Sequence, residues 1–83
     1  IKKLNMEVSW KNHIETNPKK MFGKPVIIGS RIPVDLILEK LSYGETIEQL
    51  LKAYPSLKKE SIYACLAFAS ESVKNEVISA SWK

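Results

Sequence analysis

The sequence has few of the residues that form disulfides or bind metals. Its 83 residues include one cysteine and one histidine. A single cysteine cannot form an internal disulfide, and small secreted domains usually carry several cysteines. No run of about 18 apolar residues is present, so we expect no membrane-spanning helix, and the first residues lack the apolar stretch of a signal peptide. These absences favour a reducing compartment, and we predict a cytoplasmic protein.

The residue types that catalyse reactions or bind metals are scattered along the chain. His13 stands alone, and Cys65 falls in a helical row beside Ile62 and Leu66, as a small core residue would. The carboxylates recur at spacings typical of solvated helix faces. The sequence contains no phosphate-binding loop, zinc-ligand spacing or nucleophile motif. We therefore predict that the protein is not an enzyme and that it needs no metal or cofactor.

The charge is distributed unevenly along the chain. Residues 1–31 hold seven basic and two acidic residues, a net charge of +5, whereas residues 32–83 hold six and seven, a net charge of −1. A basic segment favours polyanion binding, although a solvated lysine surface gives the same pattern. Nucleic acid is therefore a candidate partner.

The N-terminal residues carry two local patterns. Apolar and polar residues alternate from Leu4 to Trp10, which predicts a half-buried strand or an arm docked on another surface. Asn17 followed by Pro18 predicts the start of a short helix, because asparagine caps helices and proline fits their first position. Gly23 would end that helix after about one turn.

Residues 25–34 give the best hairpin pattern in the chain. Two β-branched runs flank Gly29 and Ser30, and glycine at the first central position predicts a type II′ turn. Pro33 cannot donate to a neighbouring strand, so it belongs on an edge. An isolated two-stranded ribbon is barely stable in water. The apolar side chains therefore need cover from the helices, the N-terminal strand or another chain, and they are Val26, Ile28 and Ile32.

From Val34 onward the apolar residues recur every three or four positions, which predicts helices. The first runs from about Val34 to Ser42, and the second, Ile47 to about Ala53, is capped by Thr46. Glu48 falls one position short of an ideal capping box. A third helix starts near Lys58 and runs to about Ala80 or breaks at 70–72. Its predicted apolar face consists of Ile62, Leu66, Ala69, Val73 and Val77.

These elements predict a mostly α fold in which a small β-hairpin precedes a three-helix, helix-turn-helix bundle. In such folds the N-terminal half of the last helix faces the major groove, which makes Lys58, Lys59 and Tyr63 candidate nucleic-acid contacts. Arg31, at the end of the hairpin turn, could reach a phosphate, an acidic partner or nearby Asp35. A three-helix scaffold that does not bind DNA is the alternative.

The sequence resembles a known family along most of its length, from about Ile14 to Ala69. The resemblance rests on the strings GKPVIIGSRIPV at 23–34, IL at 37–38, GETIEQL at 44–50 and YPSL at 54–57, with Ile62 beyond them. They are similar to the family long catalogued as domain of unknown function 433, also described as VapB-like antitoxins. Ser30 stands where that family usually has threonine, and both residues carry a hydroxyl.

The resemblance implies a homeodomain-like three-helix bundle preceded by a hairpin. It also implies an antitoxin that neutralises a PIN-type ribonuclease toxin and binds its own promoter. The alternative is a protein-interaction module that uses the hairpin edge. A chain this small often gains stability by oligomerising, so we expect a homodimer. The candidate partner or dimer interface consists of Val26, Ile28, Ile32 and Trp82.

We predict a single domain over residues 1–83. It consists of an N-terminal arm and hairpin at 1–34, a helix-turn-helix at 35–69 and a C-terminal helical extension at 70–83.

Overall fold

The computed structural model describes residues 9–19 and 21–80, in which three helices follow a small antiparallel sheet. The helices are α1 (Val34–Ser42), α2 (Ile47–Ala53) and α3 (Lys59–Ala80). The strands are β1 (Ile14–Glu15), β2 (Val26–Ile27) and β3 (Ile32–Pro33), in the order β1-β2-β3. The predicted mostly helical fold is confirmed, and the hairpin is part of a three-stranded sheet. No helix among the described residues has both the length and the apolar character that crossing a membrane requires.

The third strand, β1, was not predicted from the sequence. It pairs with β2 so that Ile14 lies opposite Ile27. The predicted N-terminal strand falls mostly on residues 1–8, which lie outside the described residues, and the prediction is wrong for Trp10. That residue begins a single 3₁₀ turn, Trp10–Asn12, closed by a bond of 2.9 Å from the His13 amide to the Trp10 carbonyl.

The prediction of a short helix after Asn17 is also wrong. The Asn17 side chain accepts a bond of 2.9 Å from the Lys19 amide, so it closes a local turn instead of capping a helix. Only one 3₁₀ turn follows, at Met21–Gly23. Within it Phe22 has a φ of 55° and Gly23 a φ of 79°, and these left-handed conformations cannot continue a right-handed helix.

The β2–β3 connection differs from the predicted two-residue turn. Four residues, Ile28 to Arg31, separate the paired residues Ile27 and Ile32. The Ser30 amide donates to the Ile27 carbonyl (3.1 Å), and Gly29 has a φ of 82°. Glycine with positive φ at the third position of a turn is the pattern of a type II turn. The predicted type II′ turn is therefore wrong.

The edge position predicted for Pro33 is confirmed. Strand β3 is the last strand of the sheet, and Pro33 lies opposite Val26. The next bond to the neighbouring segment runs from the Val34 amide to the Pro25 carbonyl, at 3.0 Å. The missing N–H of Pro33 therefore leaves no gap in the pairing.

Helices α1 and α2 begin and end where the spacing predicts. The cap of α2 is stronger than predicted, because Thr46 forms a full capping box with Gln49. The Gln49 amide donates to the Thr46 hydroxyl (3.1 Å), and the Thr46 amide donates to the Gln49 side-chain oxygen (2.8 Å). Glu48 cannot take this role, since the reciprocal position of the box is three residues after the cap, where Gln49 stands.

One core joins the sheet to all three helices. Its buried members are Ile14, Ile27, Val34, Ile37, Leu50, Leu57, Ile62, Ala64 and Cys65. Helix α3 runs without a break through residues 70–72. Its predicted apolar face is only partly right. Ile62 is buried, but Leu66 is 44% exposed and Val73 is 58% exposed, because Cys65 and Phe68 point to the core in their place.

Thr46→Ala removes one half of the capping box. We expect the free energy of unfolding to fall by about 1 kcal/mol, because a helix-terminal amide loses its acceptor. Urea denaturation followed by circular dichroism measures this change. Lys52→Ala is the matched control, since it lies exposed on the same helix and should change stability by less than about 0.5 kcal/mol. Equal stability of the two variants would contradict the role of the box.

Candidate nucleic-acid interface

A cleft of about 160 Å³ lies where the hairpin, the start of α3 and the segment before β1 meet. Two residues of the hairpin, Ile27 and Ile28, form its apolar wall. Its remaining lining is polar or basic and consists of Asn12, His13, Ser56, Lys58 and Ser61. No carboxylate lines it. A cleft with side-chain donors, one lysine and no acid suits a negatively charged group better than a cation.

Backbone hydrogen bonds hold the walls of the cleft together. The Ile28 amide donates to the His13 carbonyl at 2.8 Å, which ties the hairpin loop to the segment before β1. At the start of α3 the Lys58 amide donates to the Ser61 hydroxyl (3.3 Å), and the Ser61 amide donates to the Lys58 carbonyl (2.9 Å). These bonds fix the position from which the exposed Lys58 side chain extends.

The hairpin loop presents Arg31 in an unusual backbone conformation. Arg31 has a φ of 62°, in the left-handed region that non-glycine residues rarely adopt. The Ser30 hydroxyl maintains this loop, because it donates to the Ile27 carbonyl (2.8 Å) and accepts from the Ile32 amide (3.0 Å). Residues held in such conformations cluster at functional sites.

The Arg31 side chain is exposed and makes no ion pair within the described residues. The pairing with Asp35 considered from the sequence does not form. Asp35 instead accepts a bond of 3.1 Å from the Lys24 ammonium group. The guanidinium of Arg31 is therefore available to an external acid or phosphate.

The three candidates at the start of α3 are all exposed. Lys58 precedes the helix and lines the cleft, Lys59 is its first residue, and Tyr63 lies one turn further on with 42% of its surface exposed. Glu60 is exposed among them, and its charge opposes phosphate binding. The structure thus brings Lys58 close to the hairpin loop, and it places Tyr63 further along the helix.

The candidate interface residues of the hairpin have different environments. Val26 is only 3% exposed, because its own chain covers it, so a partner could reach it only if the sheet rearranged. Ile32 is half-buried, and Ile28 is 49% exposed. Trp82 lies outside the described residues. Of the three that the structure describes, Ile28 has the most surface to offer a partner.

The sequence did not indicate the contact that attaches the N-terminal segment to α3. The Trp10 ring meets the Phe68 ring edge to face, with centroids 4.9 Å apart and planes at 83°. Its indole N–H donates to the Glu71 carboxylate, and the Lys11 ammonium group lies 5.7 Å from the centre of the Trp10 ring. The partners lie far apart in the chain, so no local pattern could have indicated them.

The single cysteine has the environment of a core residue. Cys65 is fully buried, and burial raises its pKa from 9.0 to about 11. A thiol with such a pKa is almost entirely protonated at neutral pH and reacts slowly. Within the described residues, no three histidine, cysteine or acidic side chains lie close enough together to hold a metal ion.

The raised pKa of Cys65 predicts a loss of stability in alkaline solution. The thiol ionises more easily in the unfolded chain, so its contribution is intact below about pH 9 and is lost as the pH rises towards 11. We expect the wild-type protein to lose up to about 2 kcal/mol more than Cys65→Ala across this range. Denaturation of both proteins at several pH values measures the difference, and parallel pH profiles would refute the assignment.

Arg31→Gly tests the strain in the loop. A left-handed conformation costs a non-glycine residue about 1–2 kcal/mol, whereas glycine adopts it freely but has more entropy to lose. We expect Arg31→Gly to raise the free energy of unfolding by about 0.5–1 kcal/mol. Arg31→Ala removes the same charge but keeps the strain, so it should leave stability nearly unchanged in the same denaturation experiment. A lower free energy of unfolding for Arg31→Gly would contradict the prediction that the Arg31 backbone is strained.

Comparison with known proteins gives the chain a family. Residues 14–69 match the family described as "Protein of unknown function (DUF433)", a range that holds the sheet, α1, α2 and the first half of α3. A relative from Sinorhizobium fredii (strain NBRC 101917 / NGR234), described as "Uncharacterized protein y4eO", is 32% identical over 56 residues. The aligned stretch is 68% of this chain and 25% of that protein, so the chain spans about a quarter of its relative.

No solved structure matches the chain. The family match covers more than half of its residues and includes the hairpin loop with Arg31 as well as the start of α3 with Lys58. The resemblance noted in the sequence is confirmed, and the chain belongs to the DUF433 family.

Proposed function

We propose that this protein binds double-stranded DNA through the hairpin loop and the first turns of α3. The observation that supports this most is the cleft, whose lining puts the loop residue Ile28 beside Lys58 at the start of α3. Ile28 belongs to the same four-residue loop as Arg31, which lies 27 residues before Lys58 in the chain.

The proposed contacts follow from the chemistry of each side chain. Arg31 can bind a phosphate through two parallel N–H groups, which suits a residue fixed at a loop tip. Lys58 and Lys59 supply mobile charges that neutralise phosphates without reading sequence. Tyr63, on the same helix, can donate its hydroxyl to a phosphate or a base edge. In this arrangement α3 takes the place of a recognition helix.

Charge restricts how this protein could hold DNA. Residues 32–83 carry a net charge of −1, so the N-terminal residues must provide much of the attraction. In a homodimer the total charge would double from +4 to about +8, which strengthens binding through counterion release. We therefore propose that the DNA-bound form contains two copies.

The biological role that we propose is that of an antitoxin in the cytoplasm. It rests on the resemblance to VapB-like antitoxins, in which a DNA-binding protein also neutralises a PIN-type ribonuclease toxin. The exposed side chain of Ile28 is a candidate contact for that toxin, since it is apolar and lies at the hairpin loop. In this role the protein acts by binding and does not catalyse a reaction.

The second candidate is a protein-interaction module without DNA binding. Phe22, which precedes strand β2, is fully exposed, and Ile28, which follows the strand, is 49% exposed. Apolar and aromatic residues of this kind serve as anchors in protein interfaces. The edge strands β1 and β3 could also pair with an extended segment of a partner.

Lys58→Ala combined with Lys59→Ala separates the two candidates. We expect weaker duplex binding and a log–log salt slope that is smaller by about 1.8, because each phosphate contact contributes about 0.9. Fluorescence anisotropy measures both quantities across a salt series, on the DNA upstream of the protein's own gene and on a scrambled duplex. The matched control combines Lys19→Ala with Lys52→Ala, which are exposed and lie outside the cleft. Equal salt slopes for the two double variants would show that the start of α3 does not contact the DNA.

A further inference from the structure

Helix α3 carries apolar side chains that the core does not cover. Tyr63, Leu66 and Val73 are 42%, 44% and 58% exposed. With the exposed Ser70 they follow each other at intervals of three, four and three residues, the repeat by which two helices pack together over several turns. The sequence of α3 continues this spacing at Val77.

This face borders the buried side of the helix, since Leu66 lies about 40° from the fully buried Ile62 at 100° per residue. At about 100° per residue, Leu66, Ser70 and Val73 fall within roughly 60° of one another. Cys65 and Phe68, which pack in the core, fall on the other side. The apolar surface of α3 is therefore wider than the part that its own chain covers within the described residues.

We propose that the exposed face of α3, from Glu60 to Lys74, pairs in antiparallel orientation with the same face of a second copy of this chain. The orientation follows from two charges that flank the stripe on the same side. Glu60 and Lys74 are both exposed, and neither pairs with another residue in the described part of the chain. They lie at equal distances from Ala67, near the middle of the stripe.

Antiparallel pairing centred there brings Glu60 of each copy to Lys74 of the other. The two ion pairs are equivalent by the two-fold axis, as an isologous dimer requires. Leu66 and the small Ser70 of the second copy then lie within about 3 Å of the same level along the axis, at 1.5 Å per residue, so the serine leaves room for the leucine. In parallel pairing, Glu60 and Lys74 of the two copies would stay about 21 Å apart along the axis, at 1.5 Å per residue. Charge complementarity therefore favours the antiparallel arrangement.

The family domain contains only part of this surface. The match to the family ends at residue 69, so Val73 and Lys74 belong to the C-terminal extension of the chain. In this proposal the extension completes a pairing surface that begins inside the domain. A helix face of this length is smaller than the roughly 800 Å² per partner of a standard interface, so the dimer is weak and depends on concentration.

Pairing also regulates the proposed DNA contact, a consequence that rests on the proposed function. Tyr63 belongs both to the exposed stripe and to the candidate recognition surface. A second copy that covers Tyr63 displaces a duplex that needs it. The DNA-bound dimer must then be held by a different surface, and the α3 pair is the form that is free of DNA.

Charge reversal tests the pairing directly by sedimentation equilibrium over a wide concentration range. Glu60→Lys or Lys74→Glu alone turns two attractions into two repulsions, and each should raise the dimer Kd by about tenfold. The double reversal restores opposite charges and should return the Kd to near the wild-type value. Glu48→Lys and Lys52→Glu, exposed on α2, are the matched controls and should have no effect.

Leu66→Gln tests the apolar part of the face without a change in charge. It should abolish the dimer while circular dichroism shows full helix content, because Leu66 is nearly half exposed. A chain that is monomeric at every concentration, or a dimer that Leu66→Gln leaves intact, would overturn the proposal. A dimer that the double reversal weakens further would overturn the antiparallel orientation.

Duplex binding, measured where the wild type is dimeric, tests the competition separately. Leu66→Gln should bind the upstream duplex several-fold more tightly than wild type, since no second copy must leave first. Equal affinity overturns the competition but not the dimer. If neither protein binds any duplex, the proposed function fails, and the sedimentation results still decide the pairing.

Discussion

The burial of one side of α3 determines most of what this small protein presents to its surroundings. Ile62 and Cys65 are fully buried and join the helix to the sheet and to the first two helices. Because a chain of this size has only one modest core, this packing and the contact of Trp10 with Phe68 and Glu71 keep α3 in place. Once that side is fixed, the start of the helix must lie beside the hairpin loop, and the stripe with Leu66 must face outward.

Local patterns predicted the helices well because each depends on neighbouring residues. The apolar spacing located α1 and α2, and Thr46 was correctly identified as a cap. The same reasoning failed on the face of α3, since Leu66 and Cys65 are both apolar and only packing decides which one is buried. It failed on the hairpin turn too, where the Ser30 hydroxyl stabilises a four-residue loop that backbone preferences alone do not predict.

The sequence predicted individual residues of the candidate site but not the cleft. Charge and position indicated Arg31, Lys58 and Lys59, and all three are exposed. The position of the hairpin loop beside the start of α3 depends on a backbone bond from Ile28 to His13 and on the docking of Trp10 against α3. Both contacts join segments that are distant in sequence, so they emerge only from the folded chain. No pattern in a single segment could have revealed the cleft.

The contact of Trp10 with α3 has a consequence for where this protein can be cut. Trp10 and its hydrogen-bond partner Glu71 both lie outside the residues 14–69 that define the family domain, whereas Phe68 lies inside them. A fragment trimmed to the family boundaries would lose the indole ring and the carboxylate together and leave the Phe68 ring bare. The two extensions therefore contact each other at the surface of the domain, and the packed structure of this chain extends beyond the segment by which its relatives are recognised.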